Sequence, residues 1–491
     1  MNASAFKRRV GLSLLSLSIM SLTACFSMAP EYSAPDSMAA EHFKEDLQAK
    51  AEEGAKPGWK TAAPSDSLPR GEWWKVFSDP ILDDLEAQAV GANQDLKAAL
   101  ARVKQARAYQ DEARARRMPS LDAGFGPTRQ QNSRSSTGDG SVNTVWRAQT
   151  TVSYEADLFG QVGDSIVSAE AKAQQERAHF ASVLLALQAD VAANYFELRS
   201  LDAQLEAYRR TILLRGEAVS FTKARADDGQ VSDLDFERSS TELATARAES
   251  MSLMRARAVA EHRLAVLLGQ SPSSFTLGSN AIQPVRLNIP AGVPSELLER
   301  RPDIAAAERA IASANARIGV AKAAFFPSLT LTGVGGYEGN ILGEIFQGSS
   351  KAFLLGPLTG TMLNIPLFDG GKRKADLARA RAIYTEEVAQ YQQTVLESFR
   401  EVEDNLSGVR LLEEQTSALA DAVASANNAA RIARAQYQEG AVDYLEVIDA
   451  ERSTLNTERD QARALGEQAV ATVNLIRALG GGWGASSLAK S

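Results

Sequence analysis

The clearest alternation of apolar and polar side chains begins at Trp146. Every second residue from there to Leu158 is apolar or neutral, and the positions between are polar or charged, among them Arg147, Glu155 and Asp157. A period of two over this length is typical of a strand whose faces meet different surroundings. It also matches the roughly 9–11 residues of a tilted membrane strand. We therefore predict that Arg147, Glu155 and Asp157 face a lumen and that the other face meets lipid.

Long helical segments surround this strand. The run from Gln161 to Ala226 is rich in Ala, Leu, Glu, Gln and Arg, and its apolar residues recur at spacings of three and four, as in a coiled coil. At about 1.5 Å per residue such a helix would reach roughly 100 Å. Two further helices are predicted over Val231–Leu268 and Pro302–Phe325. No run of 18 apolar residues follows the N-terminal leader, so we expect any membrane crossing to use strands.

The chain also resembles itself. Met118-Pro-Ser-Leu returns as Phe326-Pro-Ser-Leu, an offset of 208 residues, and three other pairs follow in the same order at offsets of 209 to 211. A period this long indicates a duplicated domain. Each copy is predicted to contain helix, strand, loop, strand, helix, turn and helix. A soluble domain of two packed sheets is the alternative, but the rest of each copy offers no second sheet.

The N-terminus is predicted to be a lipoprotein leader. A basic stretch at Lys7–Arg9 precedes the apolar run Val10–Leu22, and Leu22-Thr-Ala-Cys25 has the form of a lipobox. Cys25 is the only cysteine, which favours its modification with lipid, including palmitate, over an ordinary leader with an incidental cysteine. The residue after the cysteine is Phe26. An aspartate at this position marks many lipoproteins for retention in the inner membrane, so we expect this chain to be anchored in the outer membrane.

Four membrane strands per chain are too few to close a barrel. Single-chain barrels begin at eight strands, and lipid does not tolerate unpaired sheet edges. Partner chains must therefore complete the pore. Three protomers would supply twelve strands, although the strand count alone does not set the number at three.

Neither the composition nor the motifs of the sequence indicate a catalytic site. The net charge of -8 and pI near 5.3 argue against a nucleic-acid partner. No glycine-rich phosphate loop is present, and the three histidines lack metal-ligand spacing. We predict no catalytic residues, no metal site, no cofactor and no enzyme activity.

Two sharp turns interrupt the long helices, over residues 227–233 and 438–443. Gly229 and Gly440 stand where each helix must end. Ser232 or Asp233, and Asp443, can cap the helices that follow. As far as the residues alone show, these are simply exposed turns.

Four ordered motifs resemble the outer-membrane efflux protein (TolC-like) family, in its lipoprotein NodT-type branch. They are Gly71-Glu-Trp-Trp-Lys-Val-Phe-Ser-Asp-Pro80, Leu297-Leu-Glu-Arg-Arg-Pro-Asp-Ile304, Ile365-Pro-Leu-Phe-Asp-Gly-Gly371 and Ala478-Leu-Gly-Gly-Gly-Trp483. The resemblance implies a mixed α/β membrane channel: a homotrimer with a twelve-stranded outer-membrane β-barrel, a long periplasmic α-helical barrel and a small equatorial region. It implies a passive exit duct for small molecules that docks onto a periplasmic adaptor and an inner-membrane pump, usually proton-driven.

The resemblance also implies two functional sites. The turns would contact the adaptor, through Gly229, Gln230, Val231, Gly440, Ala441 and Val442. Leu445, Asp449 and Arg452 lie on one helical face and would form the periplasmic gate, with Asp–Arg bridges between protomers. The alternative from spacing alone is an Asp449–Arg452 pair within one helix. A periplasmic spacer lipoprotein is the competing function, but it would not need the strand at Trp146.

These expectations divide the chain into ten segments. In order they are a signal peptide (1–24), a lipidated tether (25–70), a periplasmic helix (71–118), a first strand pair with its extracellular loop (119–160), a first helical hairpin (161–268), an equatorial connector (269–301), a second periplasmic helix (302–326), a second strand pair (327–368), a second helical hairpin (369–480) and a tail (481–491).

Overall fold

The structure is a computed structural model that describes residues 27–35, 43–45, 72–131, 140–282, 284, 300–355 and 363–481. Cys25 and the predicted signal peptide lie outside these residues. Among the described residues, a short 3-10 helix, Trp73–Phe77, comes first. The helices and strands that follow are, in chain order, α1 Pro80–Ala92, α2 Gln94–Ala115, β1 Ser120–Gln131, β2 Val142–Ala156, α3 Gln161–Asp227, α4 Asp233–Leu267, α5 Pro302–Ala323, β3 Ser328–Gly339, β4 Lys351–Leu355, β5 Leu363–Asn364, α6 Lys372–Gln438 and α7 Tyr444–Ala478.

The two copies of the repeat have matching helices. α3 and α6 contain 67 residues each, and α4 and α7 contain 35 each. α2 and α5 also match, at 22 residues each. The predicted duplication is therefore confirmed, and the long helices have equal lengths because they end at corresponding glycine turns, Gly229 and Gly440, at an offset of 211 residues.

The segment before β1 is not one helix. α1 ends at Ala92, and Asn93 separates it from α2. The Asn93 Oδ1 accepts a hydrogen bond from the backbone N–H of Leu96 at 2.9 Å, while its Nδ2 donates to the carbonyl of Leu267, also at 2.9 Å. Asn93 thus caps α2 and ties this break to α4.

Tertiary contacts divide the chain into two compact units. The first comprises residues 1–36, 102–177 and 306–392, and the second comprises residues 37–101, 178–305 and 393–491. The first unit contains one antiparallel sheet in the order β1-β2-β3-β4, with β5 also paired to β3. The predicted strand at Trp146 is confirmed, although β2 begins earlier, at Val142, and ends at Ala156. Because β2 pairs with β3, the sheet joins the two copies of the repeat.

The first unit also holds part of the predicted tether. The Ser27 hydroxyl donates to the Asp164 carboxylate at 2.6 Å, and the Pro30 carbonyl accepts from the Asn315 side chain at 2.8 Å. The Tyr32 hydroxyl bonds the Glu308 carboxylate. Residues 27–35 therefore lie as a strap along α3 and α5.

The second unit has its core around Trp73, which is fully buried. The same cluster contains Leu82 of α1, Tyr195 of α3, Leu264 of α4 and Ile476 of α7. One apolar interior is therefore shared by Trp73, Trp74 and these four helices. Phe43 is 3% exposed and meets Phe399 edge to face in a neighbouring cluster, so a second part of the predicted tether is packed as well.

Within the described residues, no helix is both long enough and apolar enough to cross a membrane.

Candidate functional site

Both helical turns close with the same backbone device. Gly229 has φ of 70° and Gly440 has φ of 73°, the left-handed conformation that glycine adopts without strain. The Gln230 N–H donates to the Arg225 carbonyl at 2.8 Å, and the Ala441 N–H donates to the Gln436 carbonyl at 2.8 Å. These are Schellman bonds that end α3 and α6. Of the six residues assigned to adaptor contact, four are exposed, Gly229, Gln230, Gly440 and Ala441, and two are half-buried, Val231 and Val442.

The helices that follow the turns begin differently. The Ser232 hydroxyl accepts from the Leu234 N–H at 3.2 Å and caps α4. Asp443 occupies the equivalent position before α7, but its side chain makes no capping hydrogen bond. The expectation that Asp443 caps α7 is therefore wrong. Tyr444, directly after it, is buried instead.

An aromatic cluster lies beneath the second turn. The rings of Tyr437 and Tyr444 are 5.2 Å apart, and Phe221 meets Tyr437 edge to face at 6.4 Å. The Arg225 guanidinium lies 5.6 Å from the Phe221 ring and 5.9 Å from that of Tyr437. Burial, with the nearby Glu451 carboxylate, raises the pKa of Tyr444, so its hydroxyl stays neutral. The cluster holds the second turn to the end of α3.

The structure places Leu445, Asp449 and Arg452 on an exposed face of α7. Leu445 is 46% exposed, and single exposed apolar side chains of this kind are common on protein surfaces. Asp449 is exposed too, and within the described part of the chain it forms no ion pair with Arg452. The pairing inside one helix that spacing alone suggested is therefore absent from the described residues.

Arg452 instead pairs with Glu242 on α4. Glu242 is 7% exposed and also accepts from Arg215 of α3, with Nη2 at 3.1 Å from its carboxylate. The Glu242 hydrogen bond raises the pKa of Arg452. One carboxylate therefore joins α3, α4 and α7. Sequence reasoning missed Glu242, although Arg215 and Glu242 lie 14 residues before and 13 residues after Gly229, which makes them neighbours across a hairpin.

The sheet has one polar and one apolar face. Arg147 pairs with Glu338 on the adjacent strand at 3.1 Å, and Glu155 has the same orientation as Arg147 in β2. On the opposite face, large apolar side chains are exposed: Leu121 at 70%, Phe125 at 62% and Phe353 at 83%. An exposed apolar patch of this kind marks a surface that contacts another protein or a membrane.

Asp157 does not belong to either face. It follows the last residue of β2, and its carboxylate accepts from the Val162 N–H at 3.2 Å and the Gly163 N–H at 2.7 Å. Its assignment to the lumen-facing strand positions is therefore wrong, because the side chain caps α3. The alternating pattern continued past the point where the backbone leaves the sheet.

Across the described residues, no group of three or more His, Cys, Asp or Glu side chains is arranged to hold a metal ion.

Known proteins resemble this chain along nearly its whole length. The family model described as "Outer membrane efflux protein" matches residues 85–270 and 293–481, one segment in each copy of the repeat. The toluene efflux pump outer membrane protein TtgF of Pseudomonas putida is 32% identical over 94% of this chain and 95% of its own. Outer membrane protein OprJ of Pseudomonas aeruginosa is 32% identical over 97% of each chain. The solved open state of the Neisseria gonorrhoeae MtrE outer membrane channel superposes with a TM-score of 0.78 at 28% identity, covering 93% of this chain and 98% of that one.

Proposed function

Because the chain belongs to the outer membrane efflux protein family, we propose that it forms the exit duct of a tripartite efflux system. Membership places it among outer-membrane channel components of efflux pumps, which are not enzymes. The further steps proposed here are a homotrimer, passive transport of small molecules such as drugs, and a gate at the helical turns. A periplasmic adaptor and a proton-driven inner-membrane pump would be its partners.

The two-faced sheet is the observation that carries this proposal. Its exposed apolar face suits lipid and its Arg147–Glu338 face suits water, but among the described residues the outer edges of β1 and β4 have no pairing strand. Lipid excludes unpaired edges, so neighbouring protomers must continue the sheet. Three copies would form one closed barrel, with Arg147 and Glu155 lining its lumen.

Cys25, outside the described residues, would carry the lipid anchor. Ser27 is bonded to Asp164 in the first turn of α3, and Asp164 lies only eight residues after Ala156, the last residue of β2. Two extended residues span at most about 7 Å. The acyl chains would therefore lie close to the ends of the membrane strands, in the outer membrane.

The proposed duct is tested by chemical crosslinking and planar-bilayer recording of the detergent-purified protein. We expect crosslinked trimers and stable single-channel conductance. A protein without its leader and acyl group that stays monomeric and soluble in the absence of detergent would contradict the proposal.

The proposed gate is tested with the double variant Asp449→Ala/Arg452→Ala. Removing both charges from the constriction should raise single-channel conductance. The matched control is Arg463→Ala/Glu467→Ala, which removes an exposed ion pair of 3.5 Å from the same helix. Equal conductance in wild type and the Asp449/Arg452 variant would argue against a gate at these residues.

A further inference from the structure

A cavity with a basic rim opens among α3, α5 and α6 in the first unit. It has a volume of about 450 Å³. Gln161 begins α3, Ala324 directly follows α5 and Lys372 begins α6, and all three residues line it. The cavity therefore lies at the helix ends nearest to the strands.

Four cations line this cavity, Arg317, Lys372, Arg373 and Arg379, against the single lining carboxylate of Asp376. Asp376 is shared, at 3.1 Å from Lys372 and 3.0 Å from Arg379.

Arg373 pairs with Asp369 at 3.3 Å. The Arg317 Nε donates at 3.3 Å to the Ser168 hydroxyl, which carries no charge. The four cations and the two carboxylates that pair with them, Asp376 and Asp369, leave a net charge of +2 at this cavity. The side chains of Lys372 and Arg379 are 78% and 73% exposed, so their ion pairs are weak and easily exchanged for another anion.

The interior of the cavity is apolar, with Val320, Ala324 and Ile383 among its lining residues. Large apolar side chains close in sequence to the lining residues are exposed to solvent. Phe325, after α5, is 44% exposed, and Leu367 and Phe368, before α6, are 90% exposed each. Aromatic and aliphatic side chains next to cations are typical of the boundary between membrane and water. A ligand here would meet cations at one end and apolar groups at the other.

We propose that this cavity binds the phosphodiester headgroup of an anionic phospholipid from the leaflet that faces the periplasm. Arg317 and Arg379 would hold the phosphate oxygens, because a guanidinium matches phosphate in both charge and geometry. The acyl chains would pass along Val320 and Ala324 toward Phe325. The inference rests on the proposed function, which sets the strands in the outer membrane.

The test compares lipids on the full-length protein, delipidated in a nonionic detergent. The probes are phosphatidylglycerol, phosphatidylcholine and inorganic phosphate at equal ionic strength, with binding measured by native mass spectrometry. The variant is Arg317→Gln/Arg379→Gln. Its control, Arg255→Gln/Arg463→Gln, removes two exposed arginines from α4 and α7, of which Arg463 is paired with Glu467.

We expect saturable binding of phosphatidylglycerol at least about tenfold tighter than that of phosphatidylcholine. Loss of two cations should weaken it by about thirtyfold, while the control keeps wild-type affinity. The lipid site is overturned by equal binding of both lipids, by equal loss in the control, or by inorganic phosphate displacing phosphatidylglycerol at equal concentration.

Two further measurements distinguish loss of lipid binding from loss of the duct and from loss of folding. They are channel recording in phosphatidylcholine bilayers and thermal midpoints of unfolding without added lipid. A conducting wild type that does not discriminate between lipids overturns the lipid site alone, whereas a wild type without conductance overturns the duct. A variant whose midpoint matches that of wild type shows that lost binding is not lost folding. If the midpoint of the double variant falls, the single variants Arg317→Lys and Arg379→Lys, which keep the charge, are tested instead. The proposal requires that they retain at least part of the phosphatidylglycerol binding, and complete loss overturns it.

Discussion

Arg452 on α7 donates from its guanidinium to the carboxylate of Glu242 on α4, so the second helical hairpin is bonded to the first within one protomer. The two partners differ in their surroundings, since the side chain of Arg452 is 53% exposed and that of Glu242 is 9% exposed. The proposed bridge from Arg452 to a neighbour's Asp449 would have to compete with this contact.

The difference in burial predicts unequal costs for breaking the same ion pair. Glu242→Gln leaves buried Arg215 without its counter-charge and should destabilise the protein by about 3–5 kcal/mol. Arg452→Ala removes an exposed partner and should cost less than about 1 kcal/mol. Chemical denaturation of both variants measures this. Equal costs, or a larger one for Arg452→Ala, would show that Glu242 is not the centre of this network.

Gly466 on α7 lies against Ser200 on α3. A Cβ at Gly466 would be 2.7 Å from the Ser200 Oγ, so Gly466→Ala should destabilise the protein by about 1–3 kcal/mol through overpacking. Gly216→Ala is the control, because a Cβ there meets nothing within 4 Å and the same change should stabilise α3 by up to about 1 kcal/mol. Thermal midpoints should move in opposite directions. Adding Ser200→Gly to Gly466→Ala should recover part of the loss.

Glu86 on α1 is fully buried, and neither carboxylate oxygen has a hydrogen-bond partner among the described residues. Burial, with the nearby Asp83, raises the pKa of Glu86 from 4.5 to about 9. Between these values the unfolded carboxyl ionises while the folded one keeps its proton. This group therefore lowers stability as pH rises, by up to about 1.4 kcal/mol per pH unit.

Glu86→Gln should remove this dependence. We expect a higher thermal midpoint than wild type at pH 8 and an unchanged one at pH 4, where the carboxyl is protonated in both states. Glu446→Gln, at an exposed position of α7, is the control and should have little effect at either pH. A Glu86→Gln midpoint that follows wild type at both pH values would mean that the carboxyl gains water or a partner when ionised.

Gly319 on α5 makes room for the strap of residues 27–35. A Cβ there would be 2.7 Å from the Ala29 nitrogen and would also collide with the Asp164 carboxylate that holds Ser27. Gly319→Ala should therefore release the strap and raise hydrogen exchange in residues 27–35. Tyr32→Phe removes only the hydroxyl bonded to Glu308 and should have a smaller effect. Unchanged exchange in Gly319→Ala would show that the strap shifts without detaching.

Local sequence signals determined the regular elements of this chain. Helix-forming runs without proline, bounded by glycine turns at Gly229 and Gly440, predict the long helices, because helix formation and its termination depend on neighbouring residues. The period of two from Trp146 predicts β2 and its two faces for the same reason. The repeat offsets predict that α3 and α6 correspond, and both have 67 residues.

The tertiary structure decided which side chains that are distant in the sequence pair with one another. The Glu242 partner of Arg452 is 210 residues away, and the Asp164 partner of Ser27 is 137 away. Asp157 continues the polar pattern of the strand, yet it caps α3, because capping depends on where the backbone turns. Side-chain pairing depends on which helices pack together and in which register, and neither is encoded in the period of a single segment.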